Sequence, residues 1–236
     1  TKKKLTTTQK EDIEKSDVKI YENFYIEQKL TNGSTVRFFK NRKDVDKVCL
    51  MKGRMPEKSG EIAVDRMYAE NNSLEIGDRV KSGKKAFRIT GLVALSDYSA
   101  LFQNNNDTMF DAVKFGVAIV TDKDFEALNQ VKVQYNYAWI YDKKPATEKK
   151  EKKMAEDLME DMADVVTIES FVPQYQNQSI HFTGDDMGSD RAMIVMLLYI
   201  VMAILAFVFG ITISNTIRKE AGVIGTLRAP GIQGAN

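Results

Sequence analysis

A single histidine, a single cysteine and a net charge of +1 narrow what this chain can do. Cys49 has no partner, so no disulfide can close within the chain. His181 stands alone, which leaves no Cys–His pair of the papain kind and no second imidazole for a zinc site, so a structural or surface role is expected for it. Lys and Arg total 34 against 33 Asp and Glu, a balance without the strongly basic surface that nucleic acid requires. There is no G-x-x-x-x-G-K-[ST] loop to hold ATP and no G-x-S-x-G elbow. GDDMGSD offers Asp185, Asp186, Ser189 and Asp190 as oxygen ligands, but their spacing fails the EF-hand template and the stretch reads as a solvated loop. QNNNDTMFD, around Asp107, reads as a polar loop for the same reason. No catalytic constellation emerges, and the chain is expected to carry no enzyme activity, cofactor or metal.

What the chain does have is one long apolar run, RAMIVMLLYIVMAILAFVFG at 191–210. From 192 to 213 there is no charge, Pro or Asn, a length of about 22 residues or ~33 Å of helix, enough for a hydrocarbon layer of ~30 Å. Tyr199 and Thr212 are its only hydroxyls, so it has no polar face, whereas a soluble core helix is polar on one side. In lipid such a helix satisfies its own backbone groups. Asp185, Asp186 and Asp190 precede the run, and Arg218, Lys219 and Arg228 follow it. Cations gather on the cytosolic flank, which puts the C-terminal end inside and the large domain outside. TKKKLTTTQKEDIEKS, at the start, is charged and has no apolar signal core, so something upstream must place the domain outside, or the domain is cytosolic.

The rest of the chain mixes strands and helices. VKIYENFYIEQKL (18–30) reads as one or two strands, Asn32-Gly33 as a hairpin turn, and STVRFF as the return strand. Short strands are expected at 61–64, 79–81 and 86–95, the last two joined by Ser82-Gly83, with Asp65 capping a brief helix over 66–70. Tight glycine turns between short strands suggest a small β-rich lobe at about 52–100. Then come a strand at 115–120, a helix capped by Thr121 with Phe125 and Leu128 on its apolar stripe, and a long strand at 131–141. A helix at 145–163 shows Met154, Leu158 and Met162 every four residues, and a last strand is expected at 165–168. The KKEKK run around Lys149 reads as a solvated helix face, because Glu148 and Glu151 interleave.

Past the apolar run the chain reads ISNTIRKEAGVIGTLRA. The pattern stays helical to about Glu220 and then turns amphipathic, with Val223, Ile224 and Leu227 on one side and Gly222 and Gly225 permitting close approach or a bend. Asn215, Arg218, Glu220, Gly222, Leu227, Arg228 and Ala229, with Glu220 and Gly222 as an E-x-G core, resemble the segment that follows a membrane helix in FtsX-like permeases, the macrolide-exporter type of ABC transporter. Upstream, G-R-x-P at Gly53, Arg54 and Pro56, then G-E-I-A-V from Gly60 to Val64, then G-D-x-V from Gly77 to Val80, occur in the order found in that family's extracytoplasmic domain. The resemblance covers most of the chain from about Val48 onward.

The resemblance implies an α+β extracytoplasmic domain, an α/β lobe with a smaller β-rich lobe, followed by one transmembrane α-helix, the second of four in such a subunit. On that reading 1–16 is a juxtamembrane segment, 17–190 the outer domain with its β-rich part at about 52–100, 191–214 the membrane helix, and 215–236 a truncated cytosolic coupling segment. Arg218, Glu220, Gly222, Gly225 and Arg228 would touch a separate cytosolic ATPase, which would hydrolyse the ATP. A second permease subunit, identical or not, and membrane lipid are the other partners implied, with no nucleic acid, and the place is a bacterial cell membrane. The chain departs from the family at Pro230 and carries no first, third or fourth span, so a fragment that does not transport by itself is expected. The alternative is a single-pass surface receptor that captures a peptide, lipid or antimicrobial and signals through the one helix.

Overall fold

Short polar side chains start most of the α-helices among the described residues. The computed structural model describes residues 1–128 and 130–228, which divide into two units, Thr1–Thr183 and Gly184–Asn236. In the first unit Thr6 and Gln9 cap each other's backbone N–H groups and open α1 (Thr7–Glu14). Strands β1 (Val18–Glu22) and β2 (Tyr25–Lys29) follow, and Gly33, at φ 86°, turns β2 into β3 (Thr35–Phe39) as the Asn-Gly pair predicts. An irregular loop at 40–47 leads to β4 (Val48–Gly53) and β5 (Glu61–Asp65). Asp65 caps α2 (Arg66–Asn71) by accepting from the Tyr68 N–H at 3.1 Å. β6 (Arg79–Ser82) returns through Gly83 into β7 (Lys85–Leu95). After β8 (Phe115–Val120), Thr121 caps α3 (Asp122–Glu126). The remaining elements are β9 (Val133–Gln134), β10 (Tyr137–Tyr141), α4 (Glu148–Val165), capped by Thr147, and α5 (Gln178–Arg228).

Eight strands make one mixed sheet, ordered β4-β7-β5-β8-β3-β2-β9, with β6 also paired to β7. The β3/β8 and β5/β7 pairs are parallel. β5 lies inside it, paired to β7 on one edge and β8 on the other, with Ile62, Ala63 and Val64 all buried. Phe38, Tyr68, Phe87, Ile89 and Val117 fill the surrounding core. The fold is therefore a mixed α/β domain with one long apolar helix, the class read from the sequence. The expected β-rich lobe is not a separate sheet, however. Strands between 48 and 95 share their sheet with β8 and β3, because EIAVD is buried on both faces and such a strand belongs in a sheet interior.

A second core is smaller. β1 and β10 pair alone, and Ile13, Val18, Ile20, Leu158 and Met162 pack where α1 and α4 meet them. The sequence reading sets 1–16 apart as a juxtamembrane segment, but its capping box and Ile13 fold residues 7–14 onto the domain. The single strand expected at 131–141 is a bent ribbon: β9 pairs with β2 in the large sheet and β10 with β1 in the small one. The register carries through the break unchanged, where the Asn23 N–H donates to the Asn136 carbonyl at 2.9 Å. No strand forms at 165–168, since α4 runs to Val165 and Val166 ends it in an extended conformation. The loop expected at 184–190 is helical, inside α5.

Gly53 and Gly91 face each other across β4 and β7. A Cβ on Gly91 would stand 2.4 Å from the Arg54 carbonyl oxygen, and one on Gly53 2.4 Å from that of Thr90. Both obstacles are backbone, so neither can step aside. Gly91→Ala is expected to lower unfolding stability by about 2–4 kcal/mol in urea denaturation. Gly188→Ala, where an added Cβ meets nothing within 4 Å, is expected to stay within about 1 kcal/mol.

Candidate functional site

The residues expected to couple to a partner all lie on α5. Its segment Gln178–Gly222 is long and apolar enough to cross a membrane. Within the second unit its large side chains are uncovered: Met193, Leu197, Phe207 and Phe209 are each at least 60% exposed. That much bare apolar surface is costly in water and costs nothing in hydrocarbon. Thr212 hides its one polar hydrogen by donating to the Val208 carbonyl one turn back, at 2.8 Å. The helix continues through Gly210 without a break. Arg218 and Glu220 are exposed beyond the apolar run, and an added Cβ on Gly222 or Gly225 would meet nothing within 4 Å. Arg228 is the last described helical residue, and its side chain, like those of Val223, Ile224 and Leu227, lies outside the described atoms. Ala229 and residues 230–236 lie outside the described residues.

The first residues of α5 belong to the first unit and are tied to it. Ser99 Oγ donates to the Ser179 and Ile180 carbonyls at 2.7 and 2.9 Å, and the Ala100 N–H donates to Ser179 at 3.1 Å. Phe182 meets the rings of Phe102 and Phe110, each at 5.4 Å. His181 is half-buried there, with Nε2 buried and without a hydrogen-bond partner among the described residues.

The G-R-x-P and G-E-I-A-V motifs are braced to each other and to α3. Arg54 donates through both terminal nitrogens to the Glu61 carboxylate, one bond measuring 2.8 Å. Glu61 also accepts from the Glu57 and Lys58 N–H groups at 2.9 and 3.0 Å. The Arg54 hydrogen bond, helped by those two backbone donors, holds the Glu61 carboxyl far below the usual carboxylate range. Gly60, at φ 84°, donates its N–H to Asp124 at 2.9 Å, tying the start of β5 to α3. In G-D-x-V, Gly77 donates to the Ile89 carbonyl at 2.8 Å and so docks the turn on β7.

A cleft of about 610 Å³ opens beyond the carboxyl ends of the parallel pair β3 and β8, lined by the loop after β3, by α3 and by aromatic residues that include Phe24 and Tyr135. Beside it lies a charged cluster that nothing in the sequence announced. Arg42 forms a bidentate pair with Asp97, 2.6 and 2.7 Å, and these side chains are only 6% and 10% exposed. Asn23 bridges the cluster: its carbonyl accepts from Arg42 at 2.8 Å and its amide donates to Asp46 at 3.0 Å. Burial first, and the Asp97 charge second, push the Asp46 carboxyl up to about 6, while Arg42 opposes them. Arg42 Nε is buried with no acceptor among the described residues. No group of three or more His, Cys, Asp or Glu side chains able to hold a metal occurs among the described residues.

No family model and no curated protein matches the sequence. Among solved structures, the chain is similar to the extracellular domain of the noncanonical ABC-type transporter YknZ from Gram-positive bacteria. That match has 14% identity and a TM-score of 0.34, over 65% of this chain and 83% of that one. It is also similar to the periplasmic region of MacB from Actinobacillus actinomycetemcomitans, at 13% identity and a TM-score of 0.35, over 67% and 75% of the two chains.

Removing Arg42 would leave two carboxylates side by side with no cation. Arg42→Ala is expected to cost about 3–5 kcal/mol, read as a lowered thermal midpoint at neutral pH. Replacing both partners, Arg42→Met with Asp97→Leu, is expected to recover part of that loss, because the apolar pair leaves only Asp46, of the two carboxylates, without its cation.

Proposed function

We propose that this chain is part of a permease subunit of an ABC transporter, with α5 as a membrane helix and the Thr1–Thr183 unit outside the bilayer. The observation that carries the reading is an order of motifs. G-R-x-P, G-E-I-A-V and G-D-x-V come first, then an apolar helix of membrane-spanning length, then the E-x-G core at Glu220 and Gly222 on the same unbroken helix. The bare apolar surface of α5 supports a lipid environment, and the positive flank at Arg218 and Lys219 supports a cytosolic end.

On this reading the parts divide the work. A separate cytosolic ATPase hydrolyses the nucleotide and docks on Arg218, Glu220, Gly222, Gly225 and Arg228. The two glycines let a partner surface come close to the helix backbone, and the charged side chains supply orientation. Closure of the ATPase displaces the coupling segment. A helix resists stretching because each turn is hydrogen-bonded to the next along its axis, so α5 passes the displacement outward. A second permease subunit completes the assembly in a bacterial cell membrane, and the outer unit changes its hold on a substrate or partner there.

The test uses the full-length permease with its ATPase. Joint replacement of Arg218, Glu220 and Arg228 by Ala is expected to lower ATPase co-purification by about tenfold or more, the equivalent of ~1.4 kcal/mol. Gly210→Pro, which removes a helix hydrogen bond and kinks the rod, is expected to leave co-purification intact and abolish ATP-dependent activity. Unchanged co-purification in the triple variant would defeat the docking assignment, and unchanged activity with Pro at 210 would defeat the relay.

A further inference from the structure

The loop at 40–46 lines the cleft with residues 40–45, and side chains hold it at Lys40, paired with Glu126, and at Arg42 and Asp46. Two demands go unmet at Arg42 and Asp46. One guanidinium serves two carboxylates, Asp46 and Asp97. The Nε of Arg42 is buried without an acceptor among the described residues. Asp46 itself sits at φ 48°, in the left-handed region that Asp tolerates better than most residues with a side chain. A missing acceptor and surplus negative charge coincide on one loop beside one cleft.

We propose that the cluster is a proton-operated clamp on the cleft wall: with Asp46 protonated the loop at 40–46 is held in its seat, and with Asp46 ionised it is released. The groups that face Asp46 are the Asp97 carboxylate just past β7, the Arg42 guanidinium on its own loop, and the Asn23 amide from the link between β1 and β2. Lys43 and Asp44 lie on the same loop and line the cleft. A proton on Asp46 removes the repulsion from Asp97 and leaves Arg42 to Asp97 alone. Loss of that proton restores two anions to one cation in a poorly solvated place, and moving the loop outward relieves them.

The sign and size follow from linkage. In the seated loop the Asp46 carboxyl titrates at about 6, and in a solvated loop it returns toward 3.8. The seated state thus binds the proton more tightly, so seating is firmest in acid and weakens as pH rises through about 6. Between pH 5 and pH 8 the ratio of released to seated loop grows about tenfold, out of about a hundredfold over the whole titration. The clamp stands on the geometry of the Thr1–Thr183 unit and holds whether or not the chain couples to an ATPase.

A nitroxide on the loop reads that ratio. The full chain in detergent micelles is labelled through Lys43→Cys after Cys49→Ser, and its spectrum is recorded at pH 5 and pH 8. The mobile component is expected to rise about tenfold relative to the immobile one, and to stay constant when Asp46→Asn is added. Asp65, which burial likewise pushes up to about 6 at the cap of α2, titrates over the same range, so the readout is taken on the loop itself. Equal spectra at the two pH values, or the same change in the Asp46→Asn chain, would overturn the clamp. A carbon-13 titration of the Asp46 carboxyl in the otherwise native chain gives a second reading: a midpoint near 6 supports the clamp, and one in the ordinary aspartate range overturns it even if the variant fails to fold.

Discussion

Burial of β5 on both faces is the constraint from which the first unit is built. Ile62, Ala63 and Val64 have no solvent side, so another strand must lie along each edge and packed side chains above and below. β7 and β8 meet the edges, and α2 follows directly because Asp65, the last residue of the strand, is also the cap of the helix. The glycine motifs serve the same end. Gly60 ties the start of the strand to Asp124, Glu61 takes the Arg54 fork, and the Gly53/Gly91 pair lets β4 close against β7 where any side chain would strike backbone. What reads in the sequence as a family pattern is, in the structure, the bracing of one central strand.

The parts of the fold legible in the sequence are those with local causes. Gly33 and Gly83 lie at positive φ in hairpins that Asn32-Gly33 and Ser82-Gly83 announce, and Asp65 and Thr121 cap the helices that follow them. The apolar helix declares itself by length. The misses share a different cause, since each depends on contacts distant in the chain. β4, VCLMKG, opens with only four apolar residues and shows no alternation, and it is fixed as a strand by pairing with β7. Nothing local says that 131–141 must bend between two sheets, because the bend is set by the break in β1 and β2 opposite it. Residues 1–16 read as a juxtamembrane segment because Ile13 is the one side chain of α1 that enters the core.

The candidate sites divide in the same way. Arg218, Glu220, Gly222, Gly225 and Arg228 could be picked out by their pattern alone, and all five lie on α5. The cluster at Arg42 could not be found so. Its two charged partners are separated by 55 residues, and the stretch NRKDVD in which Arg42 and Asp46 lie matches no known motif. Only the closing of the loop over the end of β7 brings them together.

The ribbon made by β1 with β10 and β2 with β9 has a mechanical consequence. The same two stretches of chain run through both sheets in one register, so the small core cannot slip sideways against the large one without backbone pairs being peeled apart. The two cores are sewn, not merely pressed, together. Any give that this body offers to something bound outside it must therefore come from its unpaired edges and connections, and not from a seam between its halves.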